Sequence, residues 1–540
     1  MSRTRQRRLL LAAMLCGFAL LKLYYDPGFG SRADGFYYTQ IAQNLLDGDG
    51  YSSRVSLYLQ GYTYFPHPVN QPPGWVLLLA GSAGLFGMEF AARHVPEALY
   101  MLDLLLLYLL ANRLRRRIGG PGGDGSGWLR ADSLPDFGHV AVFLLGANAV
   151  FMRFTSLPYT EGLSFAFLLA SLLAIDRASV ERSLGWAAGA GVLTALAMLT
   201  RSQMLPAMIA LPGALLLVGL RDRRYLGLAA AFVAAFALPW VPWAAWLSTW
   251  LEPLTPAGVA GLATLQETDH LRPFQHAVAT DSLGALLRDR ASGLLVAFHP
   301  MHEYSYTSQF GPLVWLVPIT PLWVVLHGLP GLRVLIRGPA PGRVLPWAML
   351  ACAVGMLIPV HLLHGVFFKE WFFGHRHGLP LLFAILPCLA WLDGAGRLPR
   401  IVGALLLAGS VAFMSYRLGD AMTRSFPGFS IAEAEVGAWL DAHEGHPVII
   451  TTRPQRMSSM SRRAYFHWMA CREDPQQMLG MLRKKMADYV MIYMNQSGCR
   501  FSKYEVRKRN LKLLREFGNE RFRIHVYTLL QKGPPTQRRR

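Results

Sequence analysis

The sequence predicts a polytopic all-α membrane domain followed by an extracytoplasmic α/β domain, and three observations carry this. The 540 residues are 53% hydrophobic and only 16% charged, with a mean hydropathy of +0.27, a balance that belongs to the membrane class. Apolar stretches with the roughly 17–25 residues a spanning helix needs alternate with short runs rich in Lys and Arg. Beyond about residue 419 the chain turns polar and basic, and its hydrophobic period switches between helical and strand spacing.

The N-terminus joins a basic patch, Arg3 to Arg8, to an apolar run ending at Leu23. A small-x-small cleavage site is missing at the end of the run, which closes with Lys22, Tyr24, Tyr25 and Asp26, so the segment is read as an uncleaved first helix with its basic end in the cytoplasm. Further basic runs stand at Arg113–Arg117, Arg177–Arg182, Arg221–Arg224, Arg333–Arg343 and Arg397–Arg400. If these loops are cytoplasmic, as the excess of Lys and Arg on that side requires, helices fall near 9–25, 94–112, 137–155, 161–176, 184–200, 204–220, 225–247, 312–330, 344–363, 378–393 and 401–418. That is about eleven spans, and the chain is expected in the plasma (inner) membrane with its C-terminal domain outside. The apolar stretch from Pro72-Pro73-Gly74-Trp75 to Gly87 breaks the alternation. It is read as an interfacial or re-entrant helix on the outer face, started by its prolines.

The membrane domain takes residues 1–425 and the extracytoplasmic α/β domain residues 426–540. The second holds 21 Lys and Arg against 10 Asp and Glu. Its pattern alternates helix 431–442, strand 447–452, helix 475–486, strand 488–494, helix 504–516 and strand 521–530. The net charge of +20 does not mark a nucleic-acid binder, because the cations flank apolar segments instead of forming an aromatic-interleaved face. Cys16, Cys352 and Cys388 fall in apolar segments. Cys471 and Cys499 fall in the outer domain, where spacing alone does not prove a bridge, and paired CxxC motifs are absent.

The first outer loop carries the most informative stretch, Ala33-Asp34-Gly35-Phe36-Tyr37-Tyr38-Thr39-Gln40-Ile41-Ala42-Gln43-Asn44-Leu45-Leu46. Tyr38, Ile41 and Leu45 share a helical face, and Asp34 precedes it at the place of a capping carboxylate. Gly48-Asp49-Gly50-Tyr51, His67-Pro68, Gln71-Pro72-Pro73-Gly74 and Arg93 follow in order. Further along stand Ser156-Leu-Pro158-Tyr159-Thr160-Glu161, Leu199-Thr200-Arg201-Ser202 with Pro206, and Phe373-Gly374-His375-Arg376-His377-Gly378-Leu379-Pro380. This succession resembles the polytopic glycosyltransferases of the GT-C fold that use polyprenyl-phosphate sugars: the protein O-mannosyltransferases and aminoarabinose transferases of glycosyltransferase family 39 type.

The resemblance implies a catalytic role for Asp34, with Glu161 as a second acidic site that orients the acceptor, partners Asp34, or shares a divalent cation with it through oxygen ligands. The resemblance leaves metal use open. The chemistry asks for such residues. A donor whose leaving group is already a phosphate needs one base for the acceptor hydroxyl and cations to meet the charge gained by the departing phosphate. Arg201, Lys369, His375, Arg376 and His377 are candidates for the phosphate, and Tyr37, Tyr38, His67 and Arg93 for the rest of the substrate. Helix-end arginines also simply snorkel to an interface, and that bland role stands beside the functional one. The expected partners are the lipid-linked sugar donor, the bilayer, and a glycan, lipid or protein acceptor. A lipid-linked sugar transporter or flippase predicts internal symmetry and matched broken helices, which the sequence lacks. A non-catalytic membrane scaffold is the remaining alternative. His299, His302 and Glu303 lack the HExxH order of a metal site, and the aromatic group Trp240, Trp243, Trp246 and Trp250 fits a helix-end anchor.

Overall fold

The computed structural model describes residues 2–24, 33–56, 67–69, 71–119, 134–147, 149–155, 157–201, 204–250, 323, 340–359, 386–387, 398–399, 401–406, 408–409, 428–468, 475–494, 511–519 and 523–529. The chain divides into two compact units, one of residues 1–26, 70–75 and 94–423, the other of residues 27–69, 76–93 and 424–540.

The first unit is helical. In chain order it holds α1 (Arg3–Tyr24), the start of α3 (Gly74–Phe86), most of α4 (Met88–Gly119), α5 (Phe137–Gly146), α6 (Ala149–Thr155), α7 (Thr160–Glu181), α8 (Leu184–Thr200), α9 (Leu205–Gly219), α10 (Arg224–Trp250) and α11 (Ala340–Pro359); α2 (Ala33–Asp47) belongs to the second unit. The segment 88–118 and helices α7 and α10 are long and apolar enough to cross a membrane by length and composition. One apolar core joins them, from Tyr100, Leu104 and Leu107 of α4 through Leu168 and Leu172 of α7 to Phe232 of α10 and Met349 of α11. Where apolar packing gives no preference over lipid, polar contacts join helices. The Ser171 hydroxyl on α7 accordingly lies 2.9 Å from the Ala190 carbonyl and 2.7 Å from Thr194 Oγ1, both on α8.

The structure differs from the expected spans in two places. The stretch 137–155 is two helices, α5 and α6. α4 runs well beyond 94–112 at both ends. The stretch from Pro72 to Gly87 holds a helix of its own, as expected: α3 is separate from α4, broken at Gly87, whose φ of +87° suits glycine. The expected spans at 312–330 and 378–393, apart from residues 323, 386 and 387, and most of 401–418 lie outside the described residues, as do His299, His302, Glu303, Cys471 and Cys499.

Ion pairs collect the basic runs at one end of this unit. Asp176, fully buried near the end of α7, meets Arg113 at 3.3 Å and Arg117 at 2.8 Å from α4, and Arg182 reaches Asp222 at 3.5 Å. Three of the runs read as cytoplasmic therefore share one end of the bundle. The first turn of α7 and the end of α8 form the opposite end, about 30 Å away at 1.5 Å per helical residue.

The second unit is an α/β sandwich. After β1 (Ser52–Ser53), β2 (Val55–Ser56) and β3 (His67–Pro68) come α12 (Gly428–Asp441), β4 (Val448–Thr451), α13 (Pro454–Met460), β5 (Tyr465–Trp468), α14 (Pro475–Arg483), β6 (Tyr489–Tyr493), β7 (Leu511–Gly518) and β8 (Arg523–Leu529). The main sheet has the order β2-β5-β4-β6-β8-β7, parallel from β2 to β6 and antiparallel beyond. Strand alternation serves two helical layers. Met491 and Tyr493 join Ala432, Val436 and Met457 on one face, and Val490 and Ile492 join Leu479 and Leu482 on the other.

Residues 511–518 form a strand where helical spacing led us to expect a helix over 504–516. Pairing with β8 decides this, and a bulge between Leu513 and Arg515 shifts the register. Leu511 and Phe517, an even number apart, consequently face opposite cores, as one extra residue in a strand requires. α13 and β5 were not expected.

The second unit also takes in the early chain. Val55 and Ser56 pair in parallel with Phe466 and His467, so a two-residue strand from the first loop forms the sheet edge. Arg54, 5% exposed, donates through its guanidinium to the carbonyls of Ser458, Ser461 and Arg462 at the end of α13, where a helix carries negative partial charge. Its burial lowers the guanidinium pKa, opposed by the nearby carboxylates of Asp47, Asp49 and Asp441 and by Tyr465. α2 is tied to this strand by buried amides. Gln40 Oε1 accepts from Ser53 Oγ and the Arg54 N–H, and Asn44 donates to the Ser52 carbonyl.

Candidate functional site

Three of the sequence motifs meet in the first unit, at the end of the bundle away from the basic runs. Glu161 stands in the first turn of α7, 1% exposed. Arg201 caps α8 with extended backbone, φ −152° and ψ 118°, and its N–H holds the Ala197 carbonyl. Leaving helical geometry there turns the side chain toward α7. Its Nη1 lies 3.0 Å from Glu161 Oε1 and donates to Thr160 Oγ1 at 2.9 Å, and Thr160 Oγ1 lies 3.3 Å from Glu161 Oε2. The Arg201 side chain keeps 12% exposure.

The Gln71–Trp75 motif closes the cluster. Trp75, fully buried, donates its indole N–H to the Pro158 carbonyl at 3.1 Å. Gly74 sits so close to the end of α8 that a Cβ there would stand 2.7 Å from Thr200 Oγ1 and 2.9 Å from the Leu199 carbonyl oxygen. Only glycine permits that approach. Residues from 74–75, 158–161 and 199–201 thus form one buried, charged knot. Trp75 and Thr160 stand within the quoted stretches but are not among the expected site residues; their contacts bring them in.

The remaining candidates of the described chain belong to the second unit. Asp34 lies within the first turn of α2, which begins at Ala33, and not just before the helix as expected; a carboxylate is favourable at either place. Its side chain, and that of His67 in β3, lie outside the described residues. Tyr37 and Tyr38 are half-buried with ring centroids 6.0 Å apart at 62°, and Tyr37 packs against the core shared by α12 and α13. Burial pushes the Tyr51 hydroxyl up, with Tyr37 and Tyr38 adding to it, which brings Tyr51 into this group. The expected face of Tyr38, Ile41 and Leu45 is only partly the buried one: Phe36, Thr39, Gln40, Ile41, Ala42 and Asn44 are buried, whereas Tyr38 and Leu45 are half-buried. Arg93 is exposed on α4. Lys369, His375, Arg376 and His377 lie outside the described residues. Among the described residues, no group of three or more His, Cys, Asp or Glu could hold a metal ion.

No protein-family model and no curated protein sequence matches the chain, but solved structures do. The aminoarabinose transferase ArnT from Cupriavidus metallidurans, bound to undecaprenyl phosphate, is similar with a TM-score of 0.50 at 14% identity over 97% of this chain and 99% of that one. The arabinofuranosyltransferase AftD from mycobacteria is similar with a TM-score of 0.51 at 15% identity; the match covers 97% of this chain and 41% of AftD. The oligosaccharyltransferase AglB from Archaeoglobus fulgidus, in complex with an inhibitory peptide and a dolichol-phosphate, gives a TM-score of 0.49 at 14% identity over 89% of this chain and 69% of that one. The chain is a membrane protein with the GT-C fold.

Proposed function

We propose that this protein is a membrane glycosyltransferase that moves a sugar from a polyprenyl-phosphate donor to an acceptor at the outer face of the membrane. The observation that carries the reading is the likeness to ArnT over nearly the full length of both chains. The ion pair of Glu161 with Arg201 supports it, since two motif residues distant in sequence meet in a buried knot.

In this reading Asp34 is the base that takes the proton of the acceptor hydroxyl as it attacks the anomeric carbon. The bond to phosphate breaks, and the polyprenyl phosphate leaves with the bonding pair. Arg201 meets the charge that develops on that phosphate. Glu161 and Thr160 hold its guanidinium in one orientation, a constraint that Lys cannot reproduce. Lys369, His375, Arg376 and His377 supply further cations, and Tyr37, Tyr38, His67 and Arg93 contact the substrates. About eleven spans, with the N-terminus cytoplasmic and the C-terminal domain outside, complete the proposed topology.

The test is turnover in proteoliposomes with a panel of polyprenyl-phosphate sugars, for wild type and Asp34→Asn. Wild type should turn over at least one donor, and Asp34→Asn should bind that donor yet lose transfer. Normal transfer by the variant removes Asp34 as the base, and an inert wild type across the panel removes the transferase reading.

A further inference from the structure

The first turn of α2, which carries Asp34, rests on a charged cluster supplied wholly by residues 428–494. Phe36, two residues after Asp34, is 1% exposed. The Arg456 guanidinium of α13 lies over its ring, 5.7 Å from the centroid. Arg456 pairs in turn with Glu433 of α12, whose side chain is fully buried, and Tyr493 of β6 donates its hydroxyl to Glu433 Oε1 at 2.9 Å. The Arg453 guanidinium lies over the Tyr493 ring at 4.9 Å. Two helices and a strand of the sandwich thereby hold one guanidinium against one ring of α2.

Stability alone is a weak reason for such a cluster. A buried ion pair costs desolvation that apolar residues of the same volume would avoid, and replacing it outright is often neutral or stabilising. A fork-shaped cation locked by a carboxylate does what an apolar side chain does not: it sets direction as well as contact. A slide or rotation of α2 past α13 would take Phe36 off the guanidinium, and Asp34 would move with it.

We propose that Arg456, braced by Glu433 and Tyr493, is a positioning residue that fixes the first turn of α2 and with it Asp34. The inference rests on the reading of Asp34 as the catalytic base, and it makes the sandwich part of the catalytic apparatus. Misplacing a reacting group by about 1 Å costs on the order of a hundredfold in rate, so the loss should appear in kcat and leave donor KM nearly unchanged.

Two measurements on the full-length protein test it. The first is hydrogen exchange of the α2 amides in Arg456→Met, Arg456→Lys and Phe36→Leu. Arg456→Met and Phe36→Leu should each speed exchange over residues 35–41 while the amides of β4 and β6 keep wild-type protection, and Arg456→Lys should restore part of it. Unchanged exchange in α2 overturns the inference whatever the activity. If Arg456→Met does not fold, Arg456→Lys and Glu433→Gln decide by the same readout.

The second is kinetics with the donor that wild type turns over. Arg456→Met and Phe36→Leu should each lower kcat at least tenfold with KM within twofold, and the double variant should be no slower than either. Losses that multiply, or that fall on KM, overturn it. The outcomes separate the two claims. An active Asp34→Asn removes the base assignment. An inactive Asp34→Asn beside an Arg456→Met with wild-type kcat and wild-type exchange removes only the positioning role.

Discussion

The pair of Glu161 with Arg201 gives the most quantitative consequence. With the charged atoms 3.0 Å apart, their attraction at an effective dielectric of about 20 is about 5 kcal/mol. Breaking a buried pair from one side usually costs about 3–5 kcal/mol, because the survivor keeps its desolvation penalty. Arg201 retains 12% exposure and the Thr160 hydroxyl, so the lower end applies, and the expected coupling is about 3 kcal/mol, or roughly 150-fold. The assay is a double-mutant cycle of Glu161→Gln, Arg201→Gln and the double variant, read as unfolding free energies for that coupling and as single-turnover rate constants at saturating donor for catalysis. If Glu161 acts by holding Arg201 toward the phosphate, the double variant should be about as slow as Arg201→Gln alone. Losses that multiply, with a coupling below about 0.5 kcal/mol, would show that the two residues act independently and that the knot is only a helix tie.

Two further outcomes follow from the packing and from the buried acid. Gly74→Ala puts a methyl group against Thr200 Oγ1 and the Leu199 carbonyl; such overpacking costs about 1–3 kcal/mol and should lower the melting temperature of the purified protein, whereas a wild-type melt would deny the close approach. For Glu433, burial raises the carboxyl pKa, and Arg456, the largest opposing influence, does not cancel it. Between the ordinary carboxylate range and that raised value the folded protein binds more protons than the unfolded one, so stability is greatest below the window and falls as pH rises through it. Melting temperatures across that range should decline more in wild type than in Glu433→Gln, and parallel curves would contradict the assignment.

Much of the membrane part was legible because its physics is local. Apolar length and flanking charge define a spanning helix without reference to the rest of the chain. The basic runs at Arg113–Arg117, Arg177–Arg182 and Arg221–Arg224, placed on one side by charge counting, indeed gather at one end of the bundle. The motifs also named residues that meet, Glu161 and Arg201 among them, though spacing gave no sign that they pair with each other. The sandwich was legible only where one element carried its own period, as α12, β4 and β6 do. At 511–518, Leu511, Leu514 and Arg515 mimic a helical face, and the competing strand gains its hydrogen bonds only from β8.

A membrane chain of alternating apolar and basic segments with a mixed α/β tail is legible from the residues without a fold, because burial period and charge asymmetry are written residue by residue. Folding is what makes Val55 and Ser56 complete a sheet whose neighbouring strand lies some four hundred residues later, and what lets Arg54 and Arg456 bind the first loop to that tail. A two-residue strand has too short a pattern to read, and a buried arginine looks in sequence like any surface cation. The carbonyls, ring and carboxylate that justify each burial come together only when the chain folds.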